Sequence, residues 1–95
     1  MPSDHLPLYF QDDLRLQRHW IVNGQHYQKT AECWLANMDH HAQELKPVFV
    51  EAYGHDQADL WMQRWRIFFM ACAELWGYHH GEEWRVCHYL FRKPL

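Results

Sequence analysis

Between Trp20 and Trp34 the chain reads WIVNGQHYQKTAECW, and the spacing of its apolar residues changes halfway through. Leading into it, LRLQRHWIV alternates Leu14, Leu16, Arg18 and Trp20 against Arg15, Gln17 and His19, the two-residue period of a half-buried strand. Asn23-Gly24 ends that run. Beyond it Tyr27, Ala31, Trp34, Leu35, Met38, Ala42 and Leu45 recur at helical spacing, which predicts a helix from about Gln25 to Leu45 that stops before Lys46-Pro47.

The flanking segments extend the same logic. Ser3 and Asp4 can cap a short helix through about Gln11. Pro47 suits the first turn of a short helix, PVFVEAY, closed by Gly54. A second long helix is expected from about Gln57 to Tyr78. One of its faces carries Trp61, Trp65, Phe68, Cys72 and Trp76, while Leu60, Ile67, Phe69, Ala71 and Leu75 fill most of the rest. A helix apolar nearly all round is buried on more than one side, and only one other long helix is at hand to bury it. After Gly81, EEWRVCHYLF alternates Trp84, Val86, His88 and Leu90 against Arg85, Cys87, Tyr89 and Phe91. Both faces of this second strand carry large apolar groups, as in the interior of a covered sheet, which two strands alone do not form. The expected fold is α+β and mostly helical, with two long helices and a short one between two antiparallel strands.

At 95 residues the chain is one domain at most, and a chain of this size buries only roughly 60 to 65% of its unfolded surface. Yet 17% of it is aromatic, including six Trp, more bulky apolar side chain than so short a chain readily covers. This describes a piece shaped to pack against something else. The formal charge of −3 and pI near 6.3 offer nothing to a phosphate backbone, so no nucleic-acid partner is expected. Cys33, Cys72 and Cys87 show no paired spacing and read as reduced thiols of a cytoplasmic protein. The start, MPSDHLPLYF, lacks a basic region followed by a long apolar stretch. The longest uninterrupted apolar run, Ile67 to Ala73, falls far short of the ~18 residues of a membrane span. The chain is expected to be neither secreted nor membrane-spanning.

Candidate chemistry is sparse. The chain has nine histidines, but no two stand three or four apart, the spacing that puts two imidazoles on one helix face; His40-His41 and His79-His80 are neighbours and diverge. They read as solvated residues at helix ends, and no metal site is expected. Cys87 and His88 are adjacent on a strand and point to opposite faces, which excludes a nucleophilic pair made of those two. The glycines at 24, 54, 77 and 81 are too scattered for a phosphate-cradling loop or a dinucleotide fingerprint. WMQRWRIFFM alternates Trp with Arg, as an interfacial membrane helix does, but its apolar arc is wide enough to suit core packing better. Tyr27, on residue type alone, is a core tyrosine whose hydroxyl finds a partner.

HWIVNGQHYQKTAECW, then Tyr53-Gly54, RWRIFFMACAELWGY and the terminal EEWRVCHYLFRK resemble the C-terminal end of the cyclopropane-fatty-acyl-phospholipid synthases and mycolic acid cyclopropane synthases, class I methyltransferases dependent on S-adenosylmethionine. The resemblance runs from about Leu14 to Lys93, and the Met-Pro-Ser start is also similar to a family segment. The family pattern G-x-x-Y-x-x-T-L-x-x-W is matched at Gly24, Tyr27, Thr30 and Trp34, with Ala31 where Leu is usual. The resemblance implies that residues 1–95 are the C-terminal segment of a catalytic domain and that the two strands end an incomplete Rossmann-like methyltransferase sheet. It implies a bicarbonate-holding role for Tyr27, since a phenol donates a hydrogen bond to an oxyanion without titrating at neutral pH, and an acyl-chain pocket at Trp34 and Phe68. It further implies methyl transfer to unsaturated acyl chains of membrane phospholipids, with a peripheral place at the membrane surface. The parent family's cofactor loop and its other bicarbonate ligands have no match in this chain, so no cofactor is expected to bind it alone. A homodimer, or pairing with an N-terminal part, is expected instead. The alternative is a stand-alone helical module, derived from the enzyme, that binds a partner or a lipid.

Overall fold

A computed structural model describes residues 2–95; Met1 of the Met-Pro-Ser start lies outside the described residues. A 3-10 turn at Leu6–Tyr9 precedes strand β1 (Arg15–Val22) and helices α1 (Gly24–His40), α2 (Ala42–Tyr53) and α3 (Ala58–Gly77). A second 3-10 turn, Tyr78–Gly81, leads into strand β2 (Val86–Arg92). The strands pair antiparallel in a two-stranded sheet, with Val22 opposite Val86 and Arg15 opposite Arg92. The α+β, mostly helical architecture is the one the sequence predicts.

Asn23-Gly24 does more than end the strand. The Asn23 side chain caps α1 by accepting from the Gln25 N–H at 2.8 Å, and its amide donates to the His80 carbonyl at 3.0 Å. Gly24 is buried where any Cβ would overlap the carbonyl oxygens of Trp76 and Trp84. The start of α1 is thereby wedged between the end of α3 and the entry to β2. The return turn supplies its share of unusual backbone: His79, His80 and Gly81 are all left-handed, at φ 53°, 58° and 76°. Farther along, Arg66 of α3 grips Asp39 of α1 with two hydrogen bonds, 2.6 and 3.1 Å.

Three boundaries differ from expectation. The helix predicted from Gln25 to Leu45 breaks at His41 (φ −106°, ψ 22°), and α2 starts at once at Ala42. Both the backbone N–H and the ring Nδ1 of His41 meet the Asn37 carbonyl, at 3.0 and 2.9 Å. This local capping ends α1, and Pro47 consequently lies inside α2 rather than at its first turn. The helix expected from Ser3 to about Gln11 shortens to the single 3-10 turn, with Pro7 near its start. In β1 the pairing shifts between Leu16, opposite Phe91, and Arg18, opposite Leu90. Gln17 is thus the extra residue of a bulge, which turns His19 onto the Leu16 face. The strict alternation read from Leu14 to Trp20 does not survive it.

Very little is buried. Among the described residues the buried apolar core is Ala31, Met38 and Ala58, and no large side chain is fully enclosed. Helix α3, apolar all round, packs on α1 and α2 yet leaves Ile67 60% and Phe68 52% exposed. On the sheet, Leu90 is 49% exposed. The radius of gyration is 18.4 Å, against about 12 Å for a compact domain of this length.

Candidate functional site

The cap at Asn23 and the close approach at Gly24 fix where the first turn of α1 sits, and Tyr27 follows from that. Its half-buried ring stacks on Trp76 of α3, with centroids 5.0 Å apart, and meets Trp34 edge-on at 6.0 Å. Tyr27 and Trp34 are two helical turns apart and share a face. The row continues from Trp34 to Phe69 at 6.0 Å and from Phe69 to Trp65 at 6.0 Å. Trp65 Nε1 donates to the Tyr53 hydroxyl at 3.3 Å, and the Tyr53 ring stacks on Trp61 at 4.5 Å. One aromatic wall therefore runs along α1 and α3 to the end of α2.

The bend at His41 opens a groove of about 660 Å³ against this wall. Its apolar lining is Trp34, Met38, Leu45, Phe49, Trp65 and Phe69, and its polar groups are Asn37 and His41. No Asp, Glu, Lys or Arg lines it. Because the Asn37 carbonyl can only accept, the His41 Nδ1 that faces it carries the proton, leaving Nε2 as an acceptor. Such a groove can hold the apolar, ring-bearing body of a small molecule, offer π-faces to a cation and receive one proton.

The structure brings two of the three sequence-predicted residues together. Trp34 lines the groove and Tyr27 supports Trp34 from behind, whereas Phe68 lines a separate cavity of about 210 Å³ with Trp61, Arg64 and Trp65. Trp65 alone lines both. Thr30, the remaining polar position of the motif, spends its hydroxyl on the His26 carbonyl, 3.0 Å away. Sequence reasoning missed Asn37, His41, Phe49, Trp65 and Phe69. The i, i+4 pair Trp65 and Phe69 was visible, but its partners on α2 depend on a bend that periodicity does not reveal. Outside the groove, Asp4, His19 and Cys87, side chains of types that can ligate a metal, come together beside the sheet.

No protein-family model matches the chain. It is 39% identical over 95 residues to (S)-coclaurine N-methyltransferase of Thalictrum flavum subsp. glaucum, and 40% identical over 94 residues to that of Papaver somniferum. Pavine N-methyltransferase of Thalictrum flavum subsp. glaucum is 33% identical over 94 residues. Each alignment covers 98% of this chain, but the chain spans only 26 to 27% of those proteins, about a quarter of their length. The crystal structure of coclaurine N-methyltransferase bound to N-methylheliamine and SAH superposes with a TM-score of 0.86 at 38% identity, over 98% of this chain and 28% of that one.

Proposed function

We propose that the chain is the C-terminal segment of an S-adenosylmethionine-dependent N-methyltransferase, and that it supplies the wall against which the amine substrate lies. The fold is that of the C-terminal part of a methyltransferase, and the expectation drawn from the Gly24, Tyr27, Thr30 and Trp34 motif holds to that extent. The observation that carries this reading is the agreement in sequence and backbone over 98% of the chain with a coclaurine N-methyltransferase.

Gly24 is spent on helix packing, Gly54 (φ 93°) on the turn after α2, and Gly81 on the return turn, so this reading leaves the cofactor to the rest of the methyltransferase. What the chain contributes is the acceptor side. The aromatic faces of Trp34, Trp65 and Phe69 hold a ring-bearing substrate and favour a positive charge on its nitrogen. The His41 Nε2 takes the proton that a protonated amine must lose before its lone pair can react. Pairing of the exposed apolar faces with a cofactor-binding part, or with a second copy in its absence, belongs to the same proposal.

A second reading, methyl transfer to an unsaturated acyl chain, draws on the four matched motif positions and on the apolar length of the groove. One experiment separates the two. This chain is grafted in place of the corresponding C-terminal quarter of coclaurine N-methyltransferase, and methyl transfer is followed to coclaurine and to vesicles of unsaturated phospholipid. The proposal expects methylated amine and unchanged lipid. A chimera that folds and binds SAH but methylates only the lipid would overturn it.

A further inference from the structure

Outside the groove, the N-terminal segment lies over one face of the sheet. There a ring nitrogen of His19 on β1, the Cys87 sulfur on β2 and an Asp4 carboxylate oxygen all lie within 4.8 Å of one another. The three side chains are half-buried. Their neighbours hold them in place. The His19 ring stacks flat on Tyr89, with centroids 4.6 Å apart and planes 7° from parallel, and the Tyr89 hydroxyl donates to the Asp4 carbonyl at 2.7 Å. Yet the His19 Nε2 is buried with no hydrogen-bond partner among the described residues, an unfavourable state for a polar atom unless something else meets it.

We propose that Asp4, His19 and Cys87 form a zinc site that clamps the N-terminal segment onto the sheet. One thiolate, one imidazole and one carboxylate are the donor types of zinc, too soft a set for magnesium or calcium. Charges balance at this half-buried place: the dication meets one thiolate and one carboxylate, and the proton leaving the Cys87 thiol passes to solvent. Tetrahedral zinc, with ligand distances of about 2.0 to 2.3 Å, sets its donor atoms about 3.5 Å apart. The cluster therefore closes with side-chain shifts of about 1 Å. A cavity of about 520 Å³ bordered by Asp4, Cys87 and Tyr89 gives an entry path and room for a water as fourth ligand. The bulge at Gln17 is what brings His19 to this face, so the local irregularity of β1 and the site have one cause.

The test uses the full chain, reduced and without a polyhistidine tag, titrated with Co²⁺ and then Zn²⁺. A single equivalent of cobalt should give a thiolate-to-metal charge-transfer band and the intense visible bands of four-coordination, and zinc should abolish both. Cys87→Ser should remove the charge-transfer band, whereas joint Cys33→Ser and Cys72→Ser replacement should keep it. Asp4→Asn, which leaves the strand pairing untouched, and His19→Ala should each weaken binding by about tenfold or more. Far-ultraviolet dichroism checks that the helices persist in each variant. No cobalt band at one equivalent, a band that survives Cys87→Ser, or Asp4→Asn and His19→Ala both binding like the parent would overturn the site.

Discussion

Replacing Gly24 with Ala tests the packing that positions the candidate site. The added methyl would overlap two backbone oxygens, those of Trp76 and Trp84, and would stand 3.2 Å from the Trp76 carbonyl carbon. Neither oxygen can rotate away as a side chain would, so α1 must move off α3 and β2 by about 1 Å to reach ordinary heavy-atom contact distances. Such overpacking costs about 1 to 3 kcal/mol, against which the better helix propensity of Ala returns at most about 1 kcal/mol. Since both obstacles are backbone, a net loss near 2 kcal/mol is expected, or a fall in Tm of roughly 10 °C for a chain of this length. Gly77→Ala is the matched control. The atoms nearest its methyl all belong to the Gln28 side chain, which can swing out, and Gly77 already has helical backbone (φ −81°), so less than about 1 kcal/mol should be lost. Thermal unfolding followed by far-ultraviolet dichroism, on both variants side by side, gives the answer. Equal stability of the two, or a more stable Gly24→Ala protein, would refute the wedge at the start of α1.

Asn23→Ala removes the cap of α1 and the tie to the His80 carbonyl, and should cost about 1 kcal/mol or somewhat more in the same melt. The Arg66 hydrogen bond, helped by its charge and opposed by desolvation, holds the Asp39 carboxyl below its ordinary value of 3.8. That contribution is present above the unfolded pKa and is lost as pH falls through the lower folded one, so it should begin to fade below about pH 4 and be gone only once the pH is under the folded value. Both partners lie at the surface and the gain is small; Asp39→Asn should melt lower than the parent at pH 7 and converge with it in acid, and a constant gap would contradict the pairing. Tyr27 is held by ring contacts with Trp76 and Trp34, so Tyr27→Phe should leave the melt of the grafted enzyme unchanged. If the phenol touches the reacting groups, turnover falls by about tenfold or more with SAH affinity intact; unaltered turnover would reduce Tyr27 to packing.

How far the sequence revealed this molecule depended on the range of the signal. Strand pairing, the all-round apolar α3 and the lack of a private core were legible, because they follow from periodicity and composition summed over many residues. The break at His41 was not, since one side chain competing for the Asn37 carbonyl decides it. The bulge at Gln17 was equally hidden, and with it the side on which His19 emerges. The groove inherited that blindness: Trp34 was legible from its motif, but Phe49 and His41 join it only through the bend. A test of histidine spacing along single helices could not find Asp4, His19 and Cys87, which approach one another only through strand pairing and the lie of the N-terminal segment over the sheet. The motif that suggested the acyl chain, Gly24 to Trp34, encodes in this structure a capped helix start and its packing on α3, which carries no information on the substrate.

The surface that α3 and the sheet leave open leads to the last expectation. The chain exposes 7724 Å², whereas a compact monomer of its mass exposes about 5,900 Å². The surplus of roughly 1,800 Å² per chain exceeds what a standard-size interface takes from one partner, and it is concentrated on large apolar groups such as Leu60, Ile67, Phe68 and Met70 of α3 and Leu90 of β2. Trp20, 40% exposed on β1, belongs to the same open sheet face as Leu90. An unpaired strand edge beside such a face templates pairing with another chain. A two-fold arrangement would cover both surfaces at once and end growth at a dimer. Purified alone at tens of micromolar, the chain is therefore expected to give a dimer or larger mass by light scattering. Phe68→Glu with Ile67→Lys should dissociate it while the α1 and α3 contacts, on other faces, persist. A monomer mass with a sharp cooperative melt would mean that the chain closes over its own apolar groups, and the reading of α3 as a docking face would fail.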